Sequence, residues 1–297
     1  MARKHLVCHC LFLLLFFFYP LHQCYSTNAL NNENKMDVHF IDVGQGDSIF
    51  VELPNGKRLL IDGGPPSSGR KLVNYLKNEG VESIDILIST HPDIDHLGGL
   101  IPVIEQFHVK KIIDSGKLYY TPTYFHYIEE VYKRDIPVTI AKTGHSSQLA
   151  EGISVKILNS HRPLKTNNQS SIALLLSFKE IDFLLMGDVE SDQELRMIQQ
   201  HNLKSEILKV AHHGSATSSS YEFLQEVKPE MAVLSYSKDN HYGHPVRTIV
   251  DNLLRVGATI YSTAKAGDIV VTTDGTDYSI DVSGKDRLIY MRNNNTQ

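Results

Sequence analysis

Eleven residues constrain this chain more than any others: Ser89-Thr90-His91-Pro92-Asp93-Ile94-Asp95-His96-Leu97-Gly98-Gly99. Two imidazoles and two carboxylates fall within six positions. An apolar, strand-like run (84–88) precedes them and a helix-like run (97–107) follows. A strand end that turns into a helix can aim such side chains at one point. His and Asp together bind divalent metal: imidazole suits zinc, iron and manganese, and carboxylate shifts the balance toward harder ions. The plainer alternative is a polar loop in which Asp95 caps the next helix. That alternative has no use for His91 and His96.

The chain has 297 residues and a formal charge of −5. Residues 1–24 carry Arg3 and Lys4 and no acid, so the remainder stands at −7. A broad basic nucleic-acid surface is therefore absent from the composition, which leaves room only for local recognition of a phosphodiester. Residues 1–29 read as a signal peptide. Arg3 and Lys4 open it, residues 11–19 are unbroken apolar sequence ended by Pro20, and Thr27-Asn28-Ala29 offers small residues for cleavage. The apolar run falls short of the roughly 20 residues a bilayer span takes. The expectation is a secreted, extracellular protein. An uncleaved leader and a lipidated Cys24 rank lower, because Gln23 stands where a small residue should precede a lipidated cysteine. All three cysteines, Cys8, Cys10 and Cys24, lie before residue 25. The mature chain would then have neither disulfides nor thiolate ligands.

Residues 30–35 read as a flexible lead-in, 36–285 as one domain and 286–297 as a tail. Strands are expected over 37–43, 47–53, 57–61, 84–89, 110–114, 138–141, 153–158, 172–178, 181–186, 207–210, 231–235, 259–262, 268–272 and 278–282. Helices are expected over 70–78, 97–107, 124–134, 190–200, 221–226 and 246–254. Hairpin strands mixed with β-α-β alternation predict an α/β (α+β) protein with more than one sheet and helices outside.

The strand-end pattern recurs. Asp62 follows Leu59-Leu60-Ile61, Asp188 follows Phe183-Leu184-Leu185-Met186-Gly187, and His212-His213 follow Leu208-Lys209-Val210-Ala211. His241 and His244 follow Val233-Leu234-Ser235 at a short distance. Several strand ends delivering His and Asp resemble a two-metal hydrolase site. On these residues the chain resembles the metallo-β-lactamase superfamily, and within it the hydrolase domain at the C-terminus of ComEC-type competence proteins and its stand-alone relatives. The segments that carry this are His39-Phe40-Ile41-Asp42-Val43-Gly44-Gln45-Gly46-Asp47-Ser48, Ile61 to Gly64, Thr90 to Gly99, Gly187-Asp188, Lys209 to Ser215 and Tyr242-Gly243-His244-Pro245.

The resemblance implies a four-layer αββα sandwich with two divalent metal ions at one edge. It implies His91 and Asp93 on the first ion, Asp95 and His96 on the second, Asp188 bridging, and His244 late on the second. Asp62 would support the motif loop. Two departures from the broad superfamily stand out. Asp93 replaces a His of many members, and residues 167–170, Asn-Asn-Gln-Ser, lie where a third His is usual; His161 comes too early. Asn168 and Ser170 would then support the ligands there. The harder donor set favours manganese, with zinc as the other leading candidate and magnesium behind them, and argues against β-lactam hydrolysis. Asp95, His212 and His213 are the catalytic candidates, one of the two histidines steadying the developing charge or protonating the leaving oxygen.

Gly44-Gln45-Gly46 reads as a hairpin turn rather than a phosphate loop, since no Gly-Lys-Ser/Thr follows; Asp42 or Asp47 could face the metal mouth. Tyr124, Tyr127 and Tyr132 read as partial core, and Ser215 and Ser218 to Ser220 as a polar loop with a helix cap. The expected function is a secreted metal-dependent hydrolase that cleaves phosphodiester bonds, in DNA, with a metal-activated hydroxide. The alternatives are a hydrolase of a small phosphoester, lactone or other ester, and a non-catalytic binding module. No protein partner is indicated.

Overall fold

The central strand segments, such as 59–61, 86–88, 183–186 and 231–234, are apolar on both faces, and that property sets the architecture: such strands must lie between other layers. In a computed structural model of the protein, residues 34–163 and 165–284 are described. The expected leader, most of the lead-in, and the tail lie outside the described residues. The strands are β1 (Met36–Phe40), β2 (Ile49–Glu52), β3 (Arg58–Ile61), β4 (Ser83–Ile84), β5 (Ile86–Ser89), β6 (His108–Val109), β7 (Ile112–Asp114), β8 (Val138–Ile140) and β9 (Ser146–Ala150). They continue with β10 (Ile153–Asn159), β11 (Ala173–Phe178), β12 (Ile181–Leu185), β13 (Ile207–Lys209), β14 (Met231–Leu234), β15 (Thr259–Ser262), β16 (Ile269–Thr273) and β17 (Tyr278–Val282). The helices are α1 (Gly69–Asn78), α2 (Ile94–Leu97), α3 (Leu100–Gln106), α4 (Pro122–Lys133), α5 (Ser191–Gln200), α6 (Tyr221–Val227), α7 (Arg247–Arg255) and α8 (Thr263–Ala266).

One sheet has the order β17-β16-β1-β2-β3-β5-β7-β8 and the other β15-β14-β13-β12-β11-β10-β9. Each is part antiparallel and part parallel. The parallel runs are β3-β5-β7-β8 in the first sheet and β12-β13-β14-β15 in the second. Alternate residues of each strand point to opposite faces. Val51, Leu59, Ile61, Ile86 and Ile88 meet Leu174, Leu176, Phe183, Met231 and Val233 in one buried cluster between the sheets. Phe50, Leu60 and Leu87, one position out of phase, pack against α1, α3 and α4 residues such as Leu72, Val103 and Tyr127. Leu184, Leu208 and Ala232 do the same with Phe223 and Leu253 of α6 and α7. The result is two mixed sheets face to face with helices on both outer sides, the four layers expected.

Beyond two short elements that were not expected, β6 and α8, three details depart from the expected pattern. The run over 97–107 is two helices, broken at Gly98-Gly99. A Cβ on Gly99 would lie 1.9 Å from the Gly63 carbonyl oxygen and one on Gly98 2.3 Å from Pro66, so the glycines let the helix start pack onto the 63–66 turn. Strand β9, with the sequence Ser-Ser-Gln-Leu-Ala, was not expected; only Leu149 of it is buried. Tyr124 and Tyr127 are core, but Tyr132 lies off their helical stripe and is exposed. Ser220 does cap α6, accepting from Phe223 N–H at 3.2 Å. Among the described residues no helix is long and apolar enough to cross a membrane.

Candidate metal centre

Parallel strands place their C-terminal ends, and the loops that follow, on one edge of a sheet, the usual location of ligands in such sheets. Here both sheets do so on the same side. Asp62 follows β3, Thr90 to Asp95 follow β5, Asp188 follows β12, and His212 and His213 follow β13. Asp93 stands at the N-cap of α2, yet its side chain caps nothing, and Asp95 lies inside the helix. The capping alternative for these acids therefore fails.

Each imidazole of the inner group is oriented by a bond to the nitrogen facing away from the centre, the arrangement that frees the other nitrogen for metal. His96 Nδ1 donates to Asp62 Oδ2 at 2.8 Å. Asp62 also accepts from Thr90 N–H at 2.8 Å and Thr90 Oγ1 at 2.6 Å, so it fixes the motif loop as well as the ring. His213 Nδ1 donates to the Ser235 carbonyl at 2.9 Å. The two Nε2 atoms then face each other 3.3 Å apart. Asp188 lies among them: its Oδ1 is 3.2 Å from His96 Nε2, and its Oδ2 is 3.6 Å from His213 Nε2, 3.7 Å from His212 Nε2 and 3.8 Å from His91 Nε2. Asp93 Oδ2 is 3.5 Å from His91 Nε2, and Asp95 Oδ2 is 3.4 Å from His213 Nε2. His91 Nε2, Asp188 Oδ1, Asp47 Oδ1 and His244 Nδ1 are buried without hydrogen-bond partners. Buried polar atoms are normally satisfied. His91 Nε2 and the Asp188 carboxylate, 3.8 Å apart with unpartnered atoms inside the His/Asp cluster, fit a divalent cation. Asp47, His96, Asp188 and His213 form a fully buried group, with potential ligand atoms within 4.8 Å of one another.

The electrostatics agree with that fit. Burial pushes the Asp188 carboxyl up, but His96, His213 and His91 outweigh it and hold it well below the ordinary range. Burial pushes His96 down, and Asp188 and Asp62 more than reverse it. His213 is lifted in the same way, against burial, to about 9 by Asp188, Asp47 and Asp95. His212 and His244 are lowered, first by burial and then by neighbouring imidazoles. Against burial, neighbouring imidazoles hold Asp93 and Asp95 low as well, and Lys209 and His213 hold Asp47 low, so these four carboxylates are ionised at neutral pH, the form that binds metal.

The segment without the expected third histidine supplies donors to the ligands instead. Asn167 Nδ2 donates to Asp93 Oδ1 at 2.6 Å, and Asn168 Nδ2 is 3.2 Å from His212 Nε2. Ser170 stays out of the cluster, its Oγ donating to the Thr166 carbonyl and meeting His161 Nδ1. Ser171 takes the supporting place: its Oγ accepts from Asp188 N–H at 3.0 Å and lies 3.3 Å from His91 Nδ1. His244 stands beside the histidine pair, its ring 5.7 Å from that of His212 and 6.5 Å from that of His213. Asp62, His212 and His213 all have φ between 50° and 57°, a left-handed conformation that is costly for residues with a Cβ and is found where a site demands it.

Two residues of the centre were not assigned in the sequence reading. Asp47, raised there only as an option, is buried against His213, with Nδ1 to Oδ1 at 3.4 Å. Lys209 is fully buried and its Nζ lies 2.8 Å from Asp47 Oδ2. Gly46 brings Asp47 in: a Cβ there would lie 2.1 Å from the Asp95 carbonyl oxygen.

The family model for the metallo-beta-lactamase superfamily matches residues 41–238. ComE operon protein 3 of Bacillus subtilis (strain 168) is 29% identical over 279 residues, covering 88% of this chain and 34% of that protein. Competence protein ComA of Neisseria gonorrhoeae is 30% identical over 243 residues, covering 79% of this chain and 32% of that protein. The chain thus spans about a third of the length of these relatives. Among solved structures, the metallo-beta-lactamase fold protein YhfI from Bacillus subtilis is similar at a TM-score of 0.56 and 14% identity, covering 81% of this chain and all of that one. Igni18, a metallo hydrolase from Ignicoccus hospitalis KIN4/I, is similar at 0.52 and 15%, covering 82% of this chain and 98% of that one. At such identities these two likenesses speak for the fold alone.

Proposed function

The chain belongs to the metallo-β-lactamase superfamily, and from that premise we propose that its buried His/Asp centre is the active site of a metal-dependent hydrolase that cleaves phosphodiester bonds in DNA. The observation that carries the hydrolase reading is the placement of Asp188 among four imidazoles, with ligand-capable atoms left unpartnered around it. His91, Asp93 and Asp188 would hold one ion; Asp95, His96, Asp188 and His213 would hold a second. Manganese or zinc suits this mixed nitrogen and oxygen set, with magnesium next. Divalent metal, when bound, polarises a phosphoryl oxygen and makes water acidic.

The protein's own groups do the rest. Asp62, Ser171 and Ser235 hold the ligand rings and carboxylate in place. His213 is buried inside the tight group and serves as a ligand. His212 is more open; Thr217 Oγ1 lies 3.0 Å from its Nδ1 and the Asn168 amide donates to its Nε2, so it would deliver a proton to the leaving oxygen only once substrate has displaced Asn168 from Nε2. The likeness to competence proteins supports DNA as the substrate, and the leader-like N-terminus supports action outside the cell.

The test is incubation of the full chain with single- and double-stranded DNA and manganese, magnesium or zinc, beside Asp95→Ala with Asp188→Ala. The expected result is cleavage that falls at least about a hundredfold in the double variant. Bound metal without cleavage would move the substrate to a small phosphoester or ester. Absence of bound metal would leave a non-catalytic module.

A further inference from the structure

Tyr242 is 69% exposed, and the feature that separates it from an ordinary surface tyrosine is what holds it. The side chain of Asn240 cages its loop: Oδ1 accepts from Tyr242 N–H at 3.1 Å and His244 N–H at 3.0 Å, and Nδ2 donates to the Ser237 and His244 carbonyls, both at 2.7 Å. Gly243, at φ 71°, closes the turn. The phenol ring is thereby stacked on the His244 ring, 5.6 Å between centroids and 22° from parallel. His244 in turn lies 5.7 Å from His212, at the edge of the centre. One ring face of Tyr242 therefore meets solvent one stack away from the atoms that would act on a phosphate. On the motif loop, Ile94 is 54% exposed between Asp93 and Asp95, so apolar surface is also presented at the rim there.

A nucleobase is attached one sugar away from its phosphate, and a planar ring held rigidly at that remove is a stacking platform whose ordering cost is already met by the loop. We propose that Tyr242 stacks on the base adjoining the scissile phosphate and makes the centre selective for unpaired nucleotides over duplex. The inference rests on the phosphodiesterase reading. A paired base is stacked on its neighbours and cannot offer both faces, so only single strands or frayed ends would use the platform.

The test separates the two ideas. The full chain is titrated, in chelator and without metal, with a single-stranded oligonucleotide carrying 2-aminopurine and with the same oligonucleotide made abasic at that position. Tyr242→Ala should weaken binding of the intact strand about tenfold, abolish the quenching of 2-aminopurine and leave the abasic strand unchanged; Tyr242→Phe should restore both. Duplex should bind like the abasic strand. Equal loss on intact and abasic strands, no loss on either, or no binding of either strand by the unaltered chain would overturn the platform. Cleavage with added manganese is scored separately. Tyr242-dependent binding without cleavage would reject the nuclease and keep the platform, and cleavage indifferent to Tyr242→Ala would do the reverse.

Discussion

Lys209 has no solvent exposure, and its ammonium is bound by Asp47 Oδ2 at 2.8 Å and the Val210 carbonyl at 2.9 Å. Burial pushes the Asp47 carboxyl up, but Lys209 and then His213 hold it well below the usual range, so the carboxylate is ionised inside the protein. Neither charge tolerates loss of the other, because an unpaired buried charge keeps its full desolvation cost. Lys209→Met should destabilise the chain by about 3–5 kcal/mol, and Asp47→Asn added to it should recover much of that. Urea unfolding in chelator measures both. A single variant within about 1 kcal/mol of the parent would mean that water, not Lys209, compensates Asp47. Lys209 left a signal in the sequence: a cation inside the apolar run Ile207-Leu208-Lys209-Val210 must find a partner when the strand is buried. Which partner it finds is set by the approach of two loops far apart in the chain, and no local pattern encodes that. The same holds for Ser171, an ordinary polar residue until folding brings it to His91 and Asp188; Asn168 was expected, but only through the family resemblance.

The strands that read most plainly are those whose two faces both meet other layers, while the edge strands β8 and β17 read from their β-branched and aromatic residues. Strands such as β5, β12 and β14 read as short apolar runs because helices cover one side and the other sheet covers the second. Strand β9 escaped because an edge strand buries little and its polar sequence carries no period. The split between α2 and α3 escaped because it answers to the 63–66 turn, not to the helix itself. Helix α5 shows a further link between an element and the centre. Its Glu194 is buried, and the carboxylate accepts from Ser219 N–H at 2.5 Å and Ser220 N–H at 3.1 Å, which ties down the chain leaving the histidine pair. Burial outweighs those two bonds and lifts its pKa from 4.5 to about 7. The folded protein therefore holds this proton more tightly than the unfolded chain. The stability it contributes is full below pH 4.5 and is lost as pH rises to about 7. Glu194→Gln should remove that fall, roughly 3 kcal/mol across the window. Unfolding free energies of parent and variant, measured from pH 4.5 to 8, should converge on neither side if another group is responsible.

At the scale of the molecule the centre is a seam. Asp62, His91 and His96 come from the ends of the first sheet, and Asp188 and His213 from the second, so a cation held among them ties the two sheets together. Binding to the folded state alone stabilises it by mass action, about 2.7 kcal/mol at a hundred times the dissociation constant. For a domain of this size that is a rise of about 5–10 °C in melting temperature. The pH dependence has a definite sign. His213, lifted to about 9, holds a proton at neutral pH that metal must displace. Its contribution to the stability of the metal-free fold is full below its ordinary 6.5 and is lost as pH rises through about 9. Metal affinity runs the other way, rising up to about tenfold per pH unit for each proton displaced. The gain in melting temperature on adding manganese or zinc should therefore grow from pH 6 to 9, and chelator should abolish it at every pH. Asp188→Ala should lose the gain throughout, because both proposed ion positions share that carboxylate. Calorimetric titration in buffers of different ionisation enthalpy counts the protons directly. A gain that is flat with pH, or one that survives Asp188→Ala, would place the bound ion somewhere other than between the sheets.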